Sequence, residues 1–559
     1  MPKMTGARFL ADTLQAYGVT HIFFMPGIVK RALFEMDERT NIDRILTHGE
    51  KSAVYMADGY ARASGRPGIC MAQTVGASNL AAGLRDPYLG CSPVIAITGG
   101  TETDTQYRNV YQEVEDLSMF DPVTKFNVRV EQVERYPDLL REAFRCATSG
   151  TPGPVHLELK GQGGQITDDA EGDLEVFVDE ATTRVPAYRP EPEPGSIQEA
   201  ARLLAAAKRP IIVAGGGVRA SGAGAELVEL AEKLSIPIAT ALNAKDTVPP
   251  QHPLSVGVVG VYSRETANQA VLDSDLVFFI GSKTGGQVTN RWRLPQIGTP
   301  VIQLDINPEE IGRNYPLEVG IMGDAKVSLR KLIDAADASS AASRKDWTEQ
   351  QKKSMKAWYE EFEPLLNSDA VPIRPERICK ELTEHLPSDA LLVSDTGHAG
   401  MWTGGMVDLT EPGQGFIRCA GSLGWGLPAV LGAKCALPDR PVVLFTGDGG
   451  FWYHLSEIET AVRRNINAVM VVNNNHVLSH GLQGLTQIAG GELNAKHEFI
   501  WHYNDTDLAK VAESMGALGI RVDKPSEIDS ALDQAFSANR PVVVDVATEV
   551  MAMAPLAIG

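Results

Sequence analysis

Short apolar runs alternate with amphipathic stretches along nearly the whole chain. In the first third, HIFFMPG, PGICMAQ and SPVIAITGG are separated by segments whose apolar residues recur at helical spacing. Such alternation predicts a parallel sheet covered by helices. The pattern returns in RPIIVAGGGV, SDLVFFIGS and TPVIQLDINP, and again in PVVLFTGDG, AVMVV and PVVVDVAT. We therefore predict an α/β protein with three doubly wound parallel-sheet domains, of which the middle one is Rossmann-like.

Two polar stretches separate the three blocks. The acidic stretch GQGGQITDDAEGDLEVFVDEATTRVPAYRPEPEPGS predicts a surface linker. The segment SRKDWTEQQKKSMKAWYEEFEPLL predicts a charged helix that crosses between domains. We place the domains at residues 1–170, 190–340 and 365–559, which agrees with the domain number expected for a chain of 559 residues.

Composition and charge exclude several classes of function. The chain is 43% apolar and 22% charged, which is typical of a soluble globular protein. A net charge of −20 argues against nucleic acid or an anionic membrane as a partner. The six cysteines form no CxxC pair and indicate reduced core residues in a cytoplasmic protein. The chain shows neither an apolar signal segment nor an apolar run of about 18 residues, so we expect no membrane span.

A βαβ unit in the third block carries the first candidate site. An apolar strand runs into Asp448, Gly449 and Gly450, and the strand after the next helix ends in three asparagines, the last of which is Asn475. Open α/β sheets bind ligands at the carboxyl ends of their strands. Carboxylate and amide oxygens suit Mg²⁺, and glycines at a helix N-terminus let the backbone approach a diphosphate. The unit therefore predicts a site for a metal and a diphosphate.

This unit resembles the GDG…NN motif of thiamine diphosphate (ThDP) enzymes. The resemblance implies that ThDP and Mg²⁺ are cofactors. It assigns Gly449 and Gly450 to cofactor binding. It also implies that the metal ligands are Asp448, Asn475 and the backbone carbonyl of Val477.

The second half of the same signature lies near the N-terminus. Glu50 precedes the helical stretch AVYMADGYAR, and Gly76 and Asn79 follow the next apolar run. In the ThDP family, a glutamate at this position hydrogen-bonds N1′ of the aminopyrimidine and favours the imino form, whose N4′ removes the proton from C2. The resemblance thus implies that Glu50 is catalytic. It also implies cofactor contacts for Glu50, Gly76, Asn79 and, in the turn MPGIV, Gly27.

Two further motifs of the third block match the family. SDTGHAGMW resembles the loop in which a glycine and a histidine contact the diphosphate, which implies cofactor contacts for Gly397 and His398. AGSLGWGLPAVLGAK resembles GSMGFGLPAAIGAK, whose apolar residue supports the thiazolium and imposes the V conformation. That residue is Leu423 here, with backbone contacts from Gly421 and Ser422.

The resemblance covers nearly the whole chain and matches the acetolactate synthase and 2-oxo acid decarboxylase branch, with pyrimidine-binding, middle and diphosphate-binding domains in that order. It implies a homodimer or homotetramer with active sites between subunits. The implied activity is a carboligase, which decarboxylates a pyruvate-like 2-oxo acid and transfers the acyl-anion equivalent to an acceptor carbonyl. Two alternatives remain open. One is a simple lyase of the benzoylformate decarboxylase or 2-hydroxyacyl/oxalyl-CoA type, and the other is an inactive, cofactor-binding regulatory subunit.

The chain departs from its relatives at several positions that bear on the acceptor. Gly49 stands where most members have a histidine before the glutamate, and no tryptophan follows the asparagines closely, unlike in the acetolactate synthases. His480 occupies a position that lines the pocket in relatives, and Gln112 matches a glutamine that reaches the cofactor. We predict both as catalytic residues; the alternative is that each lies in an exposed loop.

The middle block contains a possible nucleotide motif. The sequence GGGVRA after a strand fits GxGxxA, which alone is a weak signal. A dinucleotide site would place an acidic residue at the end of the next strand, but that strand ends at Thr240. The family uses this domain for FAD, for ADP or for no ligand. FAD is therefore a further cofactor that the resemblance allows.

Overall fold

The computed structural model describes residues 3–554, without the side chains of residues 483, 495 and 498. Residues 1–2 and 555–559, which the predicted domain limits include, lie outside the described residues. Three six-stranded sheets dominate the structure, and within each of them all neighbouring strands are parallel. The predicted α/β fold class is confirmed. Within residues 3–554, no helix is both long and apolar enough to cross a membrane.

The first domain is built on one of these sheets. Its strands are β1 (Lys3–Thr5), β2 (His21–Phe24), β3 (Asp43–Leu46), β4 (Gly68–Ala72), β5 (Val94–Gly100), β6 (Phe126–Val130), β7 (Val155–Lys160) and β8 (Glu171–Asp173). Its helices are α1 (Gly6–Ala16), α2 (Lys30–Arg39), α3 (Glu50–Ser64), α4 (Ala77–Gly90), α5 (Tyr136–Thr148) and α6 (Gln165–Asp169). The sheet order is β3-β2-β4-β5-β7-β6. The order reverses between β2 and β4, and such a switch point opens a crevice at the carboxyl ends of the strands.

The middle domain has a different strand order. Its strands are β9 (Pro210–Ala214), β10 (Ile238–Thr240), β11 (Ser255–Val258), β12 (Leu276–Ile280), β13 (Val301–Asp305) and β14 (Val319–Met322). Its helices are α7 (Pro194–Ala206), α8 (Gly216–Ser221), α9 (Gly224–Leu234), α10 (Glu265–Leu272) and α11 (Ala325–Ala335). The order β11-β10-β9-β12-β13-β14 is that of Rossmann domains.

The third domain repeats the strand order of the first. Its strands are β15 (Leu391–Ser394), β16 (Gly415–Arg418), β17 (Val442–Gly447), β18 (Val469–Asn474), β19 (Leu518–Val522) and β20 (Val542–Ala547), in the order β16-β15-β17-β18-β20-β19. The connecting helix α12 (Lys345–Leu366) precedes it. Its own helices are α13 (Pro375–His385), α14 (His398–Gly405), α15 (Gly426–Ala436), α16 (Asp448–Trp452), α17 (Glu457–Arg463), α18 (Ser479–Ile488), α19 (Ala495–Phe499), α20 (Leu508–Ser514) and α21 (Ile528–Ser537). Every residue of β18 is buried, as expected for a parallel strand covered on both faces.

The stretch predicted as a surface linker is partly folded onto the first domain. Its strand β8 pairs antiparallel with β1, and its helix α6 carries the buried Asp168. The carboxylate of Asp168 accepts a hydrogen bond of 3.0 Å from the backbone N–H of Arg31 in the first turn of α2. The linker interpretation was therefore wrong for this part. Aspartate is common both in loops and at helix N-termini, so the sequence alone does not reveal that Asp168 caps a distant helix.

The first and third domains share one hydrophobic core. Helix α3 packs along α15 at a distance that only glycine permits, because a methyl group on Gly59 would overlap the carbonyl oxygen of Ala429. The cluster of buried side chains around this contact includes residues of both domains, among them Tyr55 and Trp425. The two domains of one chain are therefore a single packed unit, and α3 links their two sheets.

Candidate active site

The predicted catalytic glutamate lies at the switch point of the first sheet. Glu50 is the first residue of α3 and is half-buried. The side-chain amide of Asn79 donates a 3.0 Å hydrogen bond to its Oε2 atom. Gly76 ends the short helical turn that follows β4 and lies against the same carboxylate. The structure thus brings Glu50, Gly76 and Asn79 together, although they come from two separate segments.

Gly76 controls the position of the Glu50 side chain. A Cβ atom at Gly76 would lie 2.6 Å from both Cγ and Oε1 of Glu50. We expect Gly76→Ala to displace the carboxylate and to lower kcat by about ten- to a hundredfold, because catalysis is sensitive to such misplacement. Steady-state kinetics with saturating cofactor would measure the effect. Gly195→Ala is the matched control, since Gly195 is exposed in the first turn of α7 and a Cβ atom there has no neighbour within 4 Å. Equal kcat values in the two variants would contradict the prediction.

A residue that the sequence does not mark connects two segments of this domain that carry predicted residues. Gln162, which follows β7, accepts a 2.8 Å hydrogen bond at its backbone oxygen from Oγ1 of Thr74. Its side-chain amide donates to the backbone oxygen of Tyr111. The next residue, Gln112, is half-buried and lies at the same carboxyl edge of the sheet as the turn that follows β4. Gly27 lies in the turn after β2, against the side chain of Gln73.

The predicted metal ligands lie at the ends of two neighbouring strands of the third sheet. Asp448 follows β17 directly, and Asn475 follows β18. The Asp448 carboxylate is buried, and its Oδ2 atom has no hydrogen-bond partner among the described residues. Burial raises the pKa of this carboxyl group to about 7. A buried, partnerless carboxylate oxygen is costly unless a cation neutralises it, so the residues present fit a hard divalent metal such as Mg²⁺.

The three asparagines have different roles in this arrangement. The side-chain amide of Asn475 donates a 2.7 Å hydrogen bond to Oγ of Ser479, and its Oδ1 accepts from the backbone N–H of Val477 at 3.3 Å. Asn474 points into the domain and donates to Asp545 at 2.8 Å. The Oδ1 atom of Asn473 is buried without a partner among the described residues. The structure therefore gives Asn474 a structural contact, whereas Asn475 lies just beyond β18, next to the strand that ends before Asp448.

Several predicted cofactor contacts surround this point. Gly449 and Gly450 are buried in the first turn of α16. Gly397 precedes α14 with a φ of +65°, which favours glycine, and a Cβ atom there would have no neighbour within 4 Å. His398 begins α14, and its ring centroid lies 5.9 Å from that of His480 in α18. The fold therefore brings together two histidines that are far apart in the sequence.

The loop between β16 and α15 carries the last group of predicted residues. Gly421 is exposed, and Ser422 and Leu423 are half-buried. Asp395, which follows β15, accepts 3.2 Å hydrogen bonds from the backbone N–H groups of Gly424 and Gly426. Burial raises the pKa of this carboxyl group to about 6. Sequence analysis did not identify Asp395, although an aspartate at a strand end of this sheet is the signal that identified Asp448.

One tryptophan lies near the predicted pocket despite its distance in the sequence. The indole of Trp501 packs against Gly481, next to His480 in α18. Its backbone oxygen accepts a 3.0 Å hydrogen bond from the N–H of Leu478. No tryptophan closely follows the asparagines in the sequence, as expected. The fold nevertheless brings Trp501 into contact with the start of α18, which follows them.

The glycines of the middle domain have a packing role. A Cβ atom on Gly215 would overlap the carbonyl oxygen of Gly281. A Cβ atom on Gly217 would lie 2.7 Å from the Cα atom of Gly281. These glycines therefore allow the segments after β9 and β12 to approach each other closely. Binding of FAD or ADP by this domain stays a prediction.

The glutamate and the metal ligands form two separate groups within one chain. Asn79 of the first domain donates to Glu50, whereas Asp448 directly follows β17 of the third domain. In the part of the chain that the structure describes, no hydrogen bond or ion pair joins Glu50 or Asn79 to Asp448 or Asn475.

Comparison with known proteins agrees with this geometry. Three family models match: the N-terminal TPP binding domain of thiamine pyrophosphate enzymes at residues 4–119, their central domain at 197–332 and their C-terminal TPP binding domain at 395–546. A probable acetolactate synthase large subunit of Methanocaldococcus jannaschii is 35% identical over 97% of this chain and 92% of its own length. The acetolactate synthase large subunit of Corynebacterium glutamicum is 31% identical over 97% and 86%. Acetolactate synthase isozyme 3 large subunit of Escherichia coli is 28% identical over 98% and 96%.

These matches extend over all three domains and nearly the full length of each relative. They identify thiamine diphosphate as the cofactor, since thiamine pyrophosphate is the same compound. The chain therefore belongs to the acetolactate synthase family of thiamine diphosphate-dependent enzymes and is a carboligase of that type.

Proposed function

We propose that this enzyme decarboxylates a pyruvate-like 2-oxo acid and joins the remaining fragment to an acceptor carbonyl, with Mg²⁺ held by Asp448, Asn475 and the carbonyl of Val477. The buried, partnerless Oδ2 atom of Asp448 beside Asn475 is the observation that carries the metal and diphosphate assignment. When bound, ThDP supplies the electron sink that decarboxylation requires. The relatives named as acetolactate synthases support the choice of substrate class.

The residues of the chain divide the remaining work. Asn79 occupies Oε2 of Glu50, which leaves Oε1 to exchange a proton with the aminopyrimidine ring nitrogen. Leu423 supports the cofactor from the third domain. We assign to His480, which is exposed beside His398, the transfer of a proton to the oxygen of the acceptor carbonyl or a contact with the substrate. Gln112 contacts the cofactor from the first domain.

The product distinguishes this proposal from the simple lyase. We expect proton NMR of the purified protein with pyruvate, ThDP and Mg²⁺ to show loss of pyruvate and formation of acetolactate or acetoin. Omission of ThDP is the control for non-enzymatic loss. Acetaldehyde as the single product would support the decarboxylase alternative, and unchanged pyruvate with ThDP bound would point to a bulkier or CoA-linked donor.

We further propose a homodimer, or a homotetramer built from it, in which Glu50 faces Asp448 of the partner subunit. The separation of the two groups within one chain supports this arrangement. Large apolar side chains in the segments that follow β4 and β5 are also exposed in the single chain, including Val75, Tyr107 and Tyr111. Apolar groups clustered in this way are typical of surfaces that another protein covers.

Mixing two inactive variants tests the shared site. Glu50→Gln and Asp448→Asn impair different halves of the site, so a mixed dimer retains one intact site and contains one doubly altered site. Co-expression should therefore restore about a quarter of wild-type activity, because about half of randomly assembled dimers are mixed. Each variant expressed alone is the control. Co-expressed variants that stay inactive would contradict the shared site.

The six cysteines bear on the location of the protein. All six are free thiols, and Cys70, Cys379 and Cys419 are buried. Free thiols persist in reducing compartments. We therefore propose that the protein is cytoplasmic.

A further inference from the structure

A buried aspartate of the first domain holds the cofactor loop of the third domain. Asp86, in α4, is fully buried, and its Oδ1 atom accepts a 2.9 Å hydrogen bond from the backbone N–H of Ala420. Its Oδ2 atom accepts a 3.0 Å hydrogen bond from the N–H of Ser422. One carboxylate thus binds two amides of the loop on either side of Gly421.

Arg62 extends this contact to both ends of the loop. Its guanidinium donates to Asp86 at 2.9 Å and to both oxygens of Asp58 at 2.8 and 2.6 Å. It also donates to the backbone oxygen of Arg418, where β16 ends. The indole N–H of Trp425 donates to Oδ2 of Asp58 at 2.8 Å, where the loop meets α15. The first domain therefore binds the loop at its start, its middle and its end.

The third domain binds the same loop from the other side. Asp395 accepts from the N–H groups of Gly424 and Gly426, as described above. Leu423 therefore lies between Ser422, which is bound to the first domain, and Gly424, which is bound to the third. The backbone on both sides of Leu423 is thus fixed by one carboxylate from each domain.

The buried charges of Asp86, Arg62 and Asp58 explain how the loop is held in one conformation better than they explain how the two domains are joined. The packing of α3 on α15 already joins the domains through a continuous apolar core. Buried ion pairs add little net stability compared with apolar packing, because desolvation offsets their attraction. A rigid carboxylate that accepts two backbone amides, in contrast, fixes a loop closely.

We propose that Asp86, oriented by Arg62, is a positioning residue that places the Leu423 loop for ThDP. The inference rests on the proposed function, in which this loop contacts the aminopyrimidine and the thiazolium. The pyrimidine domain would then act twice: Glu50 at one end of α3 serves the partner subunit's site, and Arg62 near the other end serves the site of its own chain. Asp86 is not a catalytic residue, since it contacts only the protein.

Two ligands of different size test this role with Asp86→Asn. An asparagine of the same shape can accept from only one of the two loop amides, and its NH₂ group opposes the other. We expect ThDP with Mg²⁺ to bind about ten- to a hundredfold more weakly in calorimetric titration. Inorganic pyrophosphate with Mg²⁺ should bind as tightly as it does to the wild type, because it needs Asp448 and Gly397 but not the loop. Unchanged ThDP binding, or equal weakening of both ligands, would overturn the proposal.

Asp43→Asn is the matched control for the charge change. Asp43 forms an ion pair with Arg464 that joins the same two domains and does not touch the loop. The Asp43→Asn variant should bind ThDP and pyrophosphate as tightly as the wild type does. Weakening of ThDP binding in this control as large as in Asp86→Asn would overturn the specific role of Asp86.

Hydrogen exchange of the ligand-free wild type tests the proposal without any variant. The amides of Ala420 and Ser422 should exchange slowly although Gly421 between them is exposed, because both donate to a buried carboxylate. Fast exchange of both amides would overturn the inference alone. Wild-type protein that binds neither ThDP nor pyrophosphate would instead contradict the proposed function, so the two failures are distinguishable.

Discussion

Replacement of Glu50 by glutamine should lower kcat by about a hundred- to ten-thousandfold, the range over which a positioned acid or base contributes. Glutamine has the same shape and can present its oxygen to Asn79, which donates to Glu50 at 3.0 Å. Its amide cannot exchange a proton with the aminopyrimidine. We therefore expect ThDP binding to change little while turnover is lost. Initial rates of pyruvate consumption at saturating ThDP and Mg²⁺, together with a titration of ThDP, would separate the two effects.

Glu38→Gln is the matched control for this change. Glu38 is exposed on α2, and the described structure shows no hydrogen bond between it and the residues of the candidate site. Its replacement removes the same charge and should leave kcat unchanged. If Glu50→Gln retained the wild-type rate, the proton-exchange role of Glu50 would be wrong. Such a result would not support an inactive regulatory subunit, because the protein would still be active.

Replacement of Asp448 by asparagine should weaken Mg²⁺-dependent ThDP binding by about a hundredfold or more. The Oδ2 atom of Asp448 is buried and has no hydrogen-bond partner in the described structure. Its main role in the proposed site is therefore to bind the metal, and the substitution removes that contact. Removal of one member of a buried charge pair costs about 2–5 kcal/mol, which corresponds to this change in affinity. Calorimetric titration of ThDP at fixed Mg²⁺ would measure it directly.

Thermal unfolding adds a second readout for the Asp448 variant. A ligand stabilises a protein according to its concentration relative to Kd, so ThDP and Mg²⁺ should raise the Tm of the wild type more than that of the variant. The Tm without ligand should fall little, because the lost carboxylate oxygen has no protein partner among the described residues. Asp439→Asn, at an exposed position, is the control. An equal ThDP-induced rise in Tm for wild type and Asp448→Asn would show that this carboxylate does not hold the metal.

Most of the fold follows from local patterns in the sequence. Apolar runs such as the one that became β18 predict buried parallel strands, because strands covered on both faces need apolar residues throughout. The strand order is less accessible, since the periodicity that identifies a strand does not specify its neighbour. The polar stretch that contains Asp168 shows a related limit: its loop-like composition conceals a residue that caps α2.

The candidate site divides in the same way. Glu50, Asp448 and Asn475 could be predicted because each belongs to a short motif at a strand end or helix start. Gln162, Asp395 and Asp86 could not, because an isolated polar residue has no local pattern that reveals its partner. Each takes part in hydrogen bonds to groups that are distant in the sequence, within one domain for Gln162 and Asp395 and between two domains for Asp86.

The sequence by itself determined the fold class, the cofactor and the residue types that perform the chemistry, because these depend on local periodicity and on short motifs. Only the tertiary structure decided which residues hold those motifs in place. The contact of α3 with α15 brings Asp86 to the Leu423 loop. The same packing leaves Glu50 and Asp448 of one chain without a mutual contact in the described structure. Both results depend on how two domains fit together, and side-chain spacing along a strand or helix carries no information about that fit.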